Sequence, residues 1–220
     1  MKKGSVSAGI LALTALAAGL VDVWSFAKLG GIFASAMTGN LALLGFYAAT
    51  GAARSALKSL SALGGFIAGC AVGTIQGRGK SDHSAIRSIL GLEMSIMVVC
   101  AAGSLRSELA TRGDFMEAQI LLLGFAMGLQ SIVGARLKQP NVVFTTTLMK
   151  IVTAAFGSAP EKADASETRR ETAVVVAYLI GALIGGVCIA SHFAGALLIA
   201  LVAVGAAFVC ARGVPDGPSC

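Results

Sequence analysis

Residues 6–45 read VSAGILALTALAAGLVDVWSFAKLGGIFASAMTGNLALLG, two apolar runs separated by one thin break. The first, 6–26, has the roughly 20 residues that a helix needs to cross a hydrocarbon core about 30 Å thick. Its one ionisable residue is Asp22. Lys28, Gly30 and Gly31 form the break, and a second apolar run, 31–50, follows directly. Helices apolar on every face are not at home in water.

The same alternation continues along the chain. Further apolar segments are expected at 57–76, 88–104, 116–135, 142–159, 172–191 and 193–211, with charged or turn-forming stretches between them. The fold class is therefore all-α: a polytopic transmembrane helix bundle of about eight hydrophobic segments, forming one integral membrane domain over 1–220. The thin breaks at Lys28 and His192 leave six or seven full spans as the alternative count. Only 13% of the 220 residues are charged and 56% are hydrophobic, where a soluble domain carries about a quarter charged residues. The 17 Lys and Arg give a net charge of +6, but they are spread a few per connection. This is the pattern that orients helices in a bilayer and not one that binds nucleic acid.

Met1, Lys2 and Lys3 before an apolar run resemble a signal peptide. The run continues past Ala17 and Ala18 to Val23 and Trp24, and further spans follow, so an uncleaved first helix is expected. With eight spans and the amino terminus inside, ten Lys and Arg fall on the cytoplasmic side and six outside, with Lys150 within a helix. That bias favours a cytoplasmic amino terminus.

An internal repeat is visible. Residues 17–45 resemble 126–153, AMGLQSIVGARLKQPNVVFTTTLMKIVT: each has a small-Gly-Leu entry, a polar position, a basic break and a run rich in hydroxyls. Gly65, Gly69 and Gly73 are matched 112 positions later by Ala177, Gly181 and Gly185, small-residue ridges that let helices approach closely in lipid. The expectation is two similar four-segment halves, 5–104 and 116–211. With an even number of crossings each, they would share orientation, as parallel repeats in some transporters do.

At GLVDVWSF, GGIFASAMTGNLALLG and GFAMGLQSIVGARL the chain resembles the YoaK-like family of bacterial inner-membrane proteins. The resemblance runs along nearly the whole chain and implies a helical fold and an inner-membrane location, and no particular activity. The second half departs from the pattern: Thr145, Thr146 and Thr147 run into Leu148 where a Thr-Gly pair is expected.

Ionisable groups inside a bilayer cost about 2.5–3.5 kcal/mol each on insertion scales, so they face the bundle interior and mark function or ion pairing. Asp22, Glu93 and Lys150 qualify, with Asp22 the expected partner of Lys150 and Glu93 the second choice. Thr38, Gly39 and Asn40 interrupt an apolar run. Either they break a helix at a ligand site or Thr38 and Asn40 bond between helices. Gln130 and Thr146, with Ser131, Thr145 and Thr147, supply a polar lining in the second half.

Cys70, Cys100, Cys188 and Cys210 lie in apolar runs and Cys220 ends the chain, without a CxxC pair, so packing is expected of them. Neither His83 nor His192 has a carboxylate or thiol at ligand spacing, and no nucleophile triad or phosphate loop is present. No cofactor, metal or enzymatic activity is expected. The residues point to a carrier of a small solute, with Asp22, Asn40 and Lys150 lining its pathway. The rival is a membrane scaffold that docks a protein partner, or a second copy, through its glycine ridges.

Overall fold

A computed structural model describes residues 3–106, 113–137, 152 and 165–213, and the described residues form seven α-helices. These are α1 (Lys3–Lys28), α2 (Met37–Ala49), α3 (Ala53–Gln76), α4 (Asp82–Ser104), α5 (Gly113–Arg136), α6 (Ala165–Ala190) and α7 (Ala196–Cys210), the last continued by a 3-10 turn, Ala211–Gly213. Six of them, all but α2, are long and apolar enough to cross a membrane. The expected segment 142–159, residue 152 apart, lies outside the described residues.

The segment 31–50 is not a span, which corrects the expectation drawn from its hydropathy. Only Met37–Ala49 is helical, 13 residues, or about 20 Å of helix against a core of about 30 Å. Gly30 and Gly31 both take positive φ, 89° and 80°, and the Gly31 N–H reaches back to the Phe26 carbonyl, so α1 ends abruptly. The thin break at 192 is real. His192, at φ 57°, is a left-handed terminator, with its own N–H on Ile189 and that of Phe193 on Cys188, the paired bonds of a Schellman motif.

Glycines decide which helices touch. A Cβ added at Gly65 or Gly69 on α3 would run into the carbonyls of Leu121 and Phe125 on α5, and one at Gly128 into Phe66 on α3. On the other side of the bundle, Gly181 of α6 meets the carbonyl of Leu16, Gly185 lies against Leu20, and Gly19 meets Tyr178. In both pairs the numbers rise together, so α3 runs parallel to α5, and α1 to α6.

Segments 6–26 and 116–135, expected to share orientation, run in opposite directions. Gln130 of α5 bonds the Thr14 carbonyl, whereas the far end of α1, at Trp24 and Lys28, shares a cavity with Gln119. The cause is the short α2: a stretch that returns to the face it left reverses everything after it. Both ends of the chain of helices lie on one face, where Gly213 meets Val6, and the α3–α4 turn is held there by Arg136, bonded to the Gly77 carbonyl and to Asp82 at 3.1 Å.

Helices α1 and α5 are central, each 61% buried along its span, and α3 and α6 are outermost at 28% and 22%. The outer faces present Leu60, Ile67 and Ile75 on α3 and Leu179, Leu183 and Val187 on α6. Apolar surface on that scale matches a lipid solvent.

Candidate functional site

The polar centre is built where α1 ends. Asp22 lies two turns before Lys28 and is 1% exposed. The chain between α1 and α2 folds back to it: the Ser35 N–H donates to Asp22 Oδ1 and the Ser35 hydroxyl to Oδ2, both at 2.6 Å. Since Asp22 lies six residues below the end of α1, Ser35 sits about 9 Å inside that face. The third donor comes from α6, where the Tyr178 hydroxyl reaches Oδ2 at 2.8 Å.

Asn40, fully buried in α2, completes the hold on the loop. Its Oδ1 accepts the Phe33 N–H at 2.9 Å and its Nδ2 donates to the Phe33 carbonyl at 2.6 Å. Phe33 in turn stacks on Phe26, 5.1 Å between centroids, and lies over Gly39, where a Cβ would stand 3.1 Å from its ring. Asp22 and Asn40 therefore take over the polar groups of a non-helical strip held beside the bundle, the condition on which irregular backbone is tolerated at membrane depth. Thr38 is exposed. No side chain caps the start of α2 at Ala36; the Met37 N–H turns back to the Ser35 carbonyl at 2.9 Å, and the positive end of the helix dipole faces the pinned loop.

Glu93, on α4, is fully buried, and neither of its carboxyl oxygens meets a hydrogen-bond partner among the described residues. The register places it: Gln119 of α5 donates to the Cys100 carbonyl at 3.0 Å, so Glu93, two turns from Cys100, stands level with Ala126 near the middle of α5. Gln130 donates to the Thr14 carbonyl at 2.9 Å, and its Oε1 is buried without a partner among the described residues.

Of the residues expected to form one pathway, Asp22, Gly39 and Asn40 come together around residues 33–35, while Glu93 and Gln130 lie deeper in the bundle and bond neither. Lys150 and Thr146, with Thr145 and Thr147, lie outside the described residues, and so does the expected pairing of Lys150 with Asp22. Ser35 and Tyr178 were not legible as site residues. Their one signal is chemical: a phenol in an apolar run needs an acceptor when buried.

A model of a protein family of unknown function, DUF1275, matches residues 10–210. The UPF0700 transmembrane protein YoaK of Bacillus subtilis (strain 168) is 30% identical over 186 residues, 80% of each chain. No solved structure matches. Six apolar helices and a transmembrane relative make this a multi-pass membrane protein. By a match along almost its whole length, the chain belongs to the DUF1275 family of YoaK-like transmembrane proteins.

Proposed function

We propose that the protein is a carrier of a small solute in the bacterial inner membrane, working without a cofactor or a chemical step on that solute. The observation that carries this reading is the loop at 33–35, held inside the membrane by Asp22 and Asn40 at the start of a half-length helix. A helix interrupted at depth offers backbone groups and a dipole end to a ligand, the arrangement that transporters use at their binding sites. A protein that served only to fill space would be more stable with a continuous helix there.

The order of the helices supports the reading. Contacts on one side of the bundle recur on the other with constant offsets: Gly69 against Phe125 answers Gly181 against Leu16, and Gly128 against Phe66 answers Gly19 against Tyr178. Helices α1 and α3 correspond in this way to α5 and α6, and α4, packed on α5, answers α7, packed on α1; with three crossings in each half, the halves are related by an axis in the membrane plane. Inverted halves of this kind give a carrier two equivalent ways to open.

The orientation follows from charge. Of the twelve Lys and Arg among the described residues, four (Lys28, Arg54, Lys58 and Arg106) lie toward the face away from the termini, and eight toward the face of the termini. Positive residues stay inside, so the amino terminus is cytoplasmic.

A second reading, a scaffold for a membrane partner, draws on the exposed apolar faces of α3 and α6. The test compares solute gradients in a deletion strain complemented with wild type or Asp22→Asn at equal membrane levels. Restoration of a gradient by wild type alone supports a carrier; no gradient change on deletion favours the scaffold.

A further inference from the structure

A cavity of about 310 Å³ opens between the ends of α1, α4 and α6 and the start of α5, on the face away from the termini. That volume is in the range of small-molecule sites. Its walls include Trp24, Ile189 and Phe193, its floor Gln119, and its rim Lys28 and His192. Among the described residues that line it there is no carboxylate. Gln119 spends its amide donors internally, on the Cys100 carbonyl and on the Ser104 hydroxyl at 2.8 Å, so the floor has no free amide hydrogen for a ligand. The attraction comes from the rim: the Lys28 ammonium, in no ion pair among the described residues, and the His192 ring, whose Nδ1 lies 3.2 Å from the Ala190 carbonyl. Trp24 is two residues, about 200° of helical rotation, from Asp22, so the cavity lies on a different side of α1 from the pinned carboxyl.

We propose that this cavity binds a small organic anion, a carboxylate or phosphate bearing an apolar body, with Lys28 and His192 facing the charge and Trp24 and Phe193 the body. The site rests on the carrier reading insofar as it makes such anions the transported class. A single cation over an indole and a phenyl wall, with no acidic group opposing it, selects against cationic and neutral ligands of the same shape. Two sources carry this chemistry: a soluble organic acid, or the phosphate of an anionic lipid headgroup reaching the rim.

Trp24 is the chain's one tryptophan and is 6% exposed, so contact quenching of its fluorescence reports entry into the cavity. The protein, in phosphatidylcholine nanodiscs, is titrated with 4-bromobenzoate, 4-bromobenzamide and 4-bromobenzylammonium. The amide partitions more readily into lipid and sets the background. The benzoate is expected to quench saturably, with half-saturation at least tenfold below the other two. Lys28→Met should raise that value about tenfold, and Lys28→Met with His192→Asn further, asparagine being chosen because it tolerates the left-handed backbone. Lys28 is exposed at a helix end, so its replacement leaves the fold intact, and unbrominated benzoate should restore the emission of the wild type. Displacement by short-chain phosphatidylglycerol at lower concentration than benzoate makes a lipid headgroup the occupant, and the reverse order a soluble acid. Equal quenching by all three probes, or no change in the double variant, overturns the proposal. The assay reads occupancy and not flux: loss of anion selectivity beside protein-dependent gradients removes the anion class and spares the carrier, and selectivity without gradients does the opposite.

Discussion

The Tyr178 hydroxyl donates to Asp22 Oδ2 at 2.8 Å, tying α6 to the same carboxyl that holds the Ser35 backbone. One side chain thus joins a lipid-facing helix, a central helix and the loop between α1 and α2. Movement of α6 against α1 is felt at the loop.

That junction is graded. Tyr178→Phe removes one donor and leaves Ser35 on Asp22, so it should lower stability by about 1 kcal/mol, the usual scale for a hydrogen bond between helices in a bilayer. Asn40→Ala strands both polar groups of Phe33 in a partly buried place and should cost about 2–6 kcal/mol, each unsatisfied group being worth about 1–3. Thermal melts in one detergent should rank wild type, Tyr178→Phe and Asn40→Ala in that order. A melt of Asn40→Ala equal to wild type would show that the loop is not held as described.

The α2 hairpin predicts sidedness. In a cysteine-free background, Lys28→Cys and Arg54→Cys should react with a membrane-impermeant maleimide from the same side, and Lys80→Cys from the other. If residues 31–50 crossed the bilayer, positions 28 and 54 would label from opposite sides, and every later helix would change direction.

The apolar pattern could not distinguish these two outcomes. Leu41, Leu43, Leu44 and Phe46 are lipid-compatible whether the stretch crosses or turns back, because hydropathy records solvent and not direction. What does carry direction are the left-handed glycines at 30 and 31 and the polar Asn40, legible as an interruption but not as a hairpin. Asp22, Asn40 and Glu93 were legible because carboxyl and amide groups in an apolar run are too costly to leave on lipid. Ser35 was not, since an aliphatic hydroxyl can satisfy itself on a nearby backbone carbonyl, as Thr14 does on that of Ile10 at 2.9 Å, and Tyr178 was not, since a phenol in an apolar run can also reach the membrane interface. The ridges at Gly65, Gly69, Gly181 and Gly185 were visible as spacing, but the spacing does not say which helix receives them.

Adjacent glycines test those ridges. Gly65 meets the backbone of Leu121, while Gly64, one residue earlier, has open space where a Cβ would stand. Gly65→Ala should therefore destabilise by about 1–3 kcal/mol through overpacking, and Gly64→Ala should be neutral or stabilise by up to about 1 kcal/mol through helix propensity. Gly181→Ala and Gly186→Ala form the matching pair on α6, where Gly181 meets Leu16 and Gly186 meets nothing. Equal losses within either pair would mean that the helices pack on another face.

Glu93 sets stability against function. Its oxygens find no partner among the described residues although the side chain is fully buried, and such a group costs the fold about 1–3 kcal/mol compared with an apolar side chain of similar shape. Glu93→Met should therefore raise the melting temperature, since unbranched methionine fills the same space without a polar end. Glu93→Gln, which keeps the shape and a polar end, should leave the melt near that of wild type. Natural sequences retain a locally unfavourable residue where function requires it, so both variants should fail to restore the solute gradient lost on deletion while reaching wild-type membrane levels. A Glu93→Met protein that melts higher and still restores the gradient would make the carboxyl dispensable, and the pathway would then have to be sought at Asp22 and the loop alone.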